Sequence, residues 1–363
     1  RTLRVGLPTA APGDFRVRAS VEGDRHRRKA TSRPAHLRVG VGEIVDVPVA
    51  FEVENVNRSR VPCSADGARY QARGHLVMPA AARGSVTLFL HGLEISSAYF
   101  RYRGVPGYDF QTEMARAGHA SVVLDRLGHG RSGLPPAGAT CVGAQADVAN
   151  QVVTALRRGD YGAGEGRGGA FSRVALAGHS FGSYIAEISA FSFPNADALV
   201  LMAFAAEGLD PSVLGARTAA GESPSCGAGG REKAPGAPSG YAFLWPDAEL
   251  WASDTYFNAE PAVVEDAKGM RERSPCGDLT SAVPGSAAEP ANYREIKVPV
   301  LLVFARQDKV FPPPAGERHR DQFTGSDDVT LVEIDQAGHT LMLQRNAPEF
   351  RRHLSGWLRA RGL

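Results

Sequence analysis

Arg173-Val174-Ala175-Leu176-Ala177-Gly178-His179-Ser180-Phe181-Gly182-Ser183-Tyr184-Ile185-Ala186 is the stretch that decides the fold. Val174 to Ala177 is a short apolar run with small side chains, the pattern of a strand buried on both faces. Ser183 to Phe191 has helical spacing with few breakers. Strand, sharp turn and helix therefore succeed one another, with Ser180 at the apex. So tight a turn strains the apex backbone, and its neighbours must lack bulk; Gly178 and Gly182 meet that need. The unit is a G-x-S-x-G nucleophile elbow in the strand-to-helix context that the motif requires.

Toward the N-terminus, the Gly-rich stretch 162–169 reads as a linker feeding the elbow strand. A helix over about 144–158 puts Val148, Val152, Val153 and Leu156 on one face. Ala120 to Asp125 reads as a buried strand, closed by the turn Arg126-Leu127-Gly128-His129-Gly130-Arg131-Ser132-Gly133. That turn lacks the Lys-Ser/Thr pair of a phosphate cradle and reads as structural. A helical segment is expected near 111–117, and Ser85 to Leu90 is another apolar run, ending in His91-Gly92-Leu93. Ile44 to Val53 alternates at period two, and Ala68 to Pro79 comes after an Asp66-Gly67 turn, so these two should form an antiparallel edge hairpin. Residues 1–42 are rich in Arg, Pro, Ala and Gly with no sustained period. They are expected to be a flexible arm, with the basic cluster Arg25 to Lys29 solvated.

Toward the C-terminus, Ala196 to Ala203 is the next strand, and the pattern then changes. Over 207–291 Pro, Gly and Ser are abundant, a helix is expected at 262–270, and aromatics cluster at Tyr241, Phe243, Trp245, Trp251, Tyr256 and Phe257. The stretch is too long for an idle loop and reads as a cap or lid. Regular alternation resumes with strands Val298 to Phe304 and Val329 to Ile334 and an amphipathic helix over about 348–361. Short apolar strands alternating with helices give an α/β fold, a parallel sheet wrapped by helices on both sides. Its core is expected over 43–206 and 292–363.

The 363 residues are 43% hydrophobic and carry a net charge of +2, which gives no reason to expect a nucleic-acid partner. No apolar run approaches the ~18 residues that span a bilayer, so no membrane span is expected. The cysteines Cys63, Cys141, Cys226 and Cys276 form no C-x-x-C pair, which argues against a zinc site, and three disulfide pairings are open. All four sit in loop-like contexts, which favours disulfides and an exported, extracellular protein over a cytoplasmic one with free thiols. The first residue is Arg1 rather than Met, so the numbering is expected to start at a trimmed or mature end, where any signal peptide would be invisible.

Ser180 is a poor nucleophile until a base takes its proton, so a histidine and an orienting carboxylate must stand elsewhere. In an open parallel sheet, functional residues collect beyond the carboxyl ends of the strands. The strand at 298–304 ends near Asp308 and that at 329–334 near His339, which gives the chain order Ser, Asp, His of this elbow type. Glu207 and Asp210, after the preceding strand, are the alternative acids. His26, His36, His319 and His353 lie in polar, surface-like segments; His75 and His119 lie beside strands and read as structural; His179 reads as a packing position. Two rigid N–H donors are needed for an oxyanion: the amide of Phe181, after the nucleophile, and that of Leu93, where Gly92 lets the backbone turn inward.

With these residues in place, the chain from about 43 to 361 resembles the α/β-hydrolase superfamily. The matching elements are His91-Gly92, Asp125-Arg126-Leu127-Gly128-His129-Gly130-Arg131-Ser132, the Gly178–Gly182 elbow, Asp308 and His339. The resemblance implies an eight-stranded, mostly parallel sheet, a cap inserted between strands six and seven, and no cofactor. The positions of Cys63 and Cys141 also resemble exported bacterial members. The long Gly/Pro-rich cap departs from any subfamily signature. The function expected is a serine hydrolase that cleaves a carboxylic ester or lactone through an acyl-enzyme on Ser180, with His339 as base and Asp308 fixing it. The cap aromatics, as candidate substrate-binding residues, imply a small apolar substrate, and a core-filling role for them is equally open. Acyl transfer, carbon–carbon bond hydrolysis and cofactor-free peroxidation use the same triad and remain alternatives. A non-catalytic ligand-binding protein is disfavoured by the intact triad, and epoxide or haloalkane opening by a serine where an aspartate would stand.

Overall fold

The computed structural model describes residues 13–17, 20–21, 30–31, 35–39, 43–82, 84–206, 226, 229–245, 247–286 and 290–363. Eight strands form the body of one sheet: β1 (Ile44–Glu54), β2 (Arg69–Pro79), β3 (Ser85–Leu90), β4 (Ser121–Asp125), β5 (Arg173–His179), β6 (Ala198–Met202), β7 (Val300–Ala305) and β8 (Val329–Ile334). Their spatial order is β1-β2-β4-β3-β5-β6-β7-β8. Among these eight only β2 runs against the rest: it pairs antiparallel with β1 and β4, and every later pairing is parallel.

The strands formed where the apolar runs were. β4, β6 and β7 are buried at every residue, as expected of strands covered on both faces. β1 and β2 alternate instead, being nearer the edge. Two further strands of two residues, at 162–163 and 166–167, bring the sheet to ten. They form a hairpin laid on β1 at Val49 and Ala50, with Gly164 N–H donating to Pro48 O. The Gly-rich stretch is thus the outermost ribbon of the sheet rather than a plain linker; strands of two residues, Gly162-Ala163 and Gly166-Arg167, are too short for side-chain alternation to announce them.

Helix α1 (Phe110–Arg116) is started by Asp109, whose side chain accepts from Thr112 N–H. Helix α2 (Val142–Arg158) buries Val148, Val152, Val153 and Leu156 and stops at Gly159, whose φ of 70° only glycine adopts without strain. Helix α3 (Phe181–Ser192) continues from the elbow. α2 packs on α3, and α1 packs on the C-terminal helix, residues 347–360. Between β6 and β7 the described residues form α4 (Ala248–Thr255), α5 (Pro261–Gly269) and α6 (Cys276–Ser286). After β7 come α7 (Ala315–Arg320) and α8 (Ala347–Ala360). α6 was not expected, because Gly277, Pro284 and Gly285 are poor helix formers.

Two disulfides select one of the three open pairings: Cys63–Cys141 and Cys226–Cys276. Within residues 1–42, read as a flexible arm with no sustained period, two short strand pairs form. Gly13–Val17 pairs antiparallel with Ala35–Val39, and Ser20–Val21 with Ala30–Thr31. Asp14-Phe15-Arg16-Val17 does alternate, but four residues in an Arg/Pro-rich setting are a weak signal. The cluster Arg25 to Lys29 lies outside the described residues. Among the described residues no helix is long and apolar enough to cross a membrane.

Candidate active site

The chain runs from β3 to β4 on one side and enters β5 on the other, so the order of strands reverses between β3 and β5. Clefts form at the carboxyl ends of such a switch point, and it is there that the loop after β3 meets the elbow after β5. Ser180 has φ 53° and ψ −125°, a conformation that costs a non-glycine residue about 1–3 kcal/mol. Neighbours hold it there: its N–H donates to Met202 O (2.8 Å) and its carbonyl accepts from Ser183 N–H (2.7 Å). A Cβ on Gly178 would stand 2.2 Å from Gly182 backbone atoms, and one on Gly182 would stand 2.2 Å from Leu90 O. Both glycines are therefore dictated by backbone contact as well as by the turn.

From the other side of the switch, Gly92 packs so closely that a Cβ there would lie 3.0 Å from Ser180 Cβ. Among the described residues neither Leu93 N–H nor Phe181 N–H is taken by a protein acceptor. Phe181 is the first residue of α3, where an amide has no partner inside the helix.

Asp308 and His339, beyond β7 and β8, meet in the interior. Asp308 Oδ1 accepts from the amides of Val310 (2.7 Å) and Phe311 (3.1 Å), while Oδ2 accepts from His339 Nδ1 at 2.9 Å. With its other oxygen occupied, the carboxylate can meet the ring in only one way. His339 is in turn brought to the elbow through its backbone, for His179 Nε2 donates to His339 O at 2.9 Å. Burial first, and the neighbouring His339 second, pull His179 down to about 3, so it is a neutral donor at Nε2. Its reading as a packing position is therefore incomplete: it also ties the His339 loop to the residue beside Ser180. Glu207 and Asp210 lie outside the described residues.

Residues 87–352 match the alpha/beta hydrolase family. The chain belongs to that family. No curated protein matches its sequence. Among solved structures, this hydrolase is similar to a thermophilic esterase from Thermogutta terrifontis with malate bound (TM-score 0.59, 19% identity, covering 85% of this chain and 98% of that one). It is also similar to an esterase from Exiguobacterium antarcticum (0.57, 16%, 84% and 98%) and to the enol-lactonase from Burkholderia xenovorans LB400 (0.54, 15%, 82% and 98%). At these identities the likeness is one of fold.

In this alpha/beta hydrolase the segment between β6 and β7 is docked on the His339 loop. Thr340 N–H donates to Thr255 O (3.0 Å), Arg345 N–H to Asn258 O (2.7 Å), and Gln344 Oε1 accepts from Asn258 N–H (2.9 Å). Gly338 is required here, since a Cβ would lie 2.8 Å from Phe257 N. Most of the segment's aromatics are engaged with protein. Tyr241 is buried and donates to Pro135 O; Trp245 is buried and donates from Nε1 to Asp254; Trp251 packs edge-on against Tyr99 and Tyr256. Phe243 lies under the guanidinium of Arg271 at 4.5 Å. Phe257 differs, being 51% exposed.

The reading of His319 as a surface residue does not hold. Arg318 and Arg320 are exposed, but α7 turns His319 inward to meet Glu187 of α3 at 2.5 Å. A helix of alternating-looking polar residues hides such a face because its period is 3.6, not 2. Sequence reasoning also missed Arg126 and Asp278. Arg126 directly succeeds a buried strand, and a charge at such a position implies a buried partner; the partner lies in the Gly/Pro-rich insertion, where nothing marks it.

Proposed function

We propose that this alpha/beta hydrolase is a serine hydrolase that cleaves a carboxylic ester or lactone through an acyl-enzyme on Ser180. The observation that carries this reading is the Asp308–His339 pair at 2.9 Å, tied through His179 to a serine at φ 53°. Ser180 Oγ attacks the carbonyl carbon as His339 Nε2 takes its proton, and Asp308 holds the proton on Nδ1 and stabilises the imidazolium. The amides of Leu93 and Phe181 receive the oxyanion. Collapse breaks the bond to the alcohol, which leaves with the proton from His339. Water then attacks the acyl-enzyme, gives its proton to His339, and Ser180 departs with that proton as the acid is released.

The residues between β6 and β7 act as the cap. Their docking on the His339 loop supports that role. Phe257, the exposed aromatic of the segment, is the one we place against a small apolar acyl or alcohol group, while Tyr241, Trp245, Trp251 and Tyr256 are buried and fill the segment's interior. The similar folds include proteins named as esterases and an enol-lactonase, which supports the ester and lactone classes. The two disulfides are compatible with an extracellular location, and we place the protein there.

The test is covalent labelling by a fluorophosphonate and turnover of a panel of p-nitrophenyl esters and lactones. Label at Ser180, lost in Ser180→Ala together with turnover, is the expected result. Full turnover by Ser180→Ala would overturn the mechanism.

A further inference from the structure

Arg126 is a large buried side chain that takes no part in the acyl-enzyme chemistry. It is 1% exposed, and its partner Asp278 is wholly buried. An arginine is taken out of water at several kcal/mol unless all its donors are satisfied, so what it binds indicates what it does. Nη1 donates to Asp278 Oδ2 at 2.7 Å, Nε to His91 O at 3.0 Å, and Nη2 to Gly92 O at 3.2 Å. Its guanidinium also lies 5.3 Å from the centre of the Phe181 ring. All these contacts outside Asp278 fall on the two segments that carry the oxyanion donors.

The Gly92 carbonyl belongs to the same peptide unit as the Leu93 N–H. That unit is planar and trans, so the two groups point in opposite directions. Fixing the carbonyl therefore aims the amide. Two donors fix it: Arg126 Nη2, and the ring of His91, whose Nδ1 lies 2.9 Å from Gly92 O. The backbone N–H of Arg126 donates to His91 Nε2 at 3.1 Å, which places the ring proton on Nδ1 as donor. Asp278 in turn holds the guanidinium, with its second oxygen accepting from Gln145 at 3.3 Å. Asp278 stands two residues after Cys276, where the Cys226–Cys276 disulfide enters α6.

We propose that Arg126 is the positioning residue of the oxyanion hole, clamping the Gly92–Leu93 peptide, and that the cap reaches the hole through Asp278. The inference rests on the proposed role of Leu93 N–H as an oxyanion donor. A misaimed donor weakens the transition state and leaves ground-state binding intact.

The experiment compares wild type, Asp278→Asn, Arg126→Met and Arg126→Met/Asp278→Asn. The double variant leaves no unpaired buried charge and guards against simple misfolding of Arg126→Met. Active sites are counted by complete fluorophosphonate labelling, and kcat per labelled site, KM and affinity for an alkyl boronic acid are measured. A roughly 10–100-fold loss of kcat per site is expected in the double variant, with KM little changed and boronate affinity falling in parallel; deleting one oxyanion donor outright costs about 10²–10³. Asp278→Asn should show a smaller loss of the same kind. A purely structural role would reduce the number of labelled sites but leave kcat per site at the wild-type value, and that result overturns the inference alone. A wild type that neither labels at Ser180 nor turns over any ester overturns both the inference and the hydrolase reading.

Discussion

Replacing Asp308 by asparagine exchanges one oxygen for an NH₂ group, and the hydrogen bonds around it dictate the outcome. Both carboxylate oxygens are committed, Oδ1 to the amides of Val310 and Phe311 and Oδ2 to His339 Nδ1. An asparagine has one accepting end and one donating end, so it must choose. With its oxygen toward the two amides it keeps two hydrogen bonds and turns its NH₂ group to His339. The reverse orientation orphans two buried N–H groups, at about 1–3 kcal/mol each. Two against one decides for the first orientation. His339 must then accept at Nδ1, so its proton moves to Nε2, the atom that has to receive the proton of Ser180. A triad that loses its aspartate in this way falls about 10⁴-fold in kcat, or about 5.4 kcal/mol in the barrier. The assay is steady-state hydrolysis of a p-nitrophenyl ester, per titrated active site, with thermal melting as the check on folding. KM should stay near the wild-type value. A variant that keeps kcat within about tenfold of wild type at neutral pH would refute both the tautomer argument and the role of Asp308.

Gly182→Ala places a methyl group 2.2 Å from Leu90 O; because the obstacle is backbone, a loss of about 1–3 kcal/mol or more is expected, seen as a lowered melting temperature with loss of activity. Removing Cys63–Cys141 as a double serine variant reopens a loop of 78 residues, for which chain entropy predicts a loss of up to about 4.5 kcal/mol; an unchanged denaturant midpoint would contradict this. Acid should destabilise the fold through its buried neutral histidines. Burial, with Arg359 adding to it, lowers His119 to about 4, and burial with His339 lowers His179 to about 3, against 6.5 when unfolded. Between pH 6.5 and those values the unfolded chain binds more protons, so stability is complete above 6.5 and falls as pH drops, by up to about 1.4 kcal/mol per pH unit for each histidine. His119→Asn should flatten the pH dependence of the denaturation midpoint, and an equally steep dependence in that variant would remove His119 from the account.

The sheet was legible because its inner strands are apolar runs cut off by turns, because the first strand alternates at period two and the second comes after an Asp-Gly turn, and because residues beyond strand ends share one edge. That rule, together with the Ser, Asp, His chain order, pointed to Asp308 and His339, which meet although 31 residues separate them, while Glu207 and Asp210 stayed open as alternative acids. What stayed hidden had no period to show. The strands at 162–163 and 166–167 are made by backbone pairing, not by side chains. α6 forms around Gly277 and Pro284 because the Arg126–Asp278 pair and a disulfide hold it, tertiary bonds that override local propensity. His179 was visible as the residue before the nucleophile, but its bond to the His339 carbonyl depends on where a loop some 160 residues away comes to rest.

The hairpin on β1 also bears on how this sheet ends. An unpaired strand offers its N–H and C=O groups to any passing chain and seeds stacking into aggregates. Here β1 carries Pro48, which has no N–H to offer, and its carbonyl is already claimed by Gly164. The covering ribbon is too short to serve as a template in its turn. The connection that the chain needs anyway, between α2 and the elbow strand, thus doubles as a stopper on the sheet. Shortening it would keep every residue of the active site and yet leave a raw edge on which a second molecule could stick.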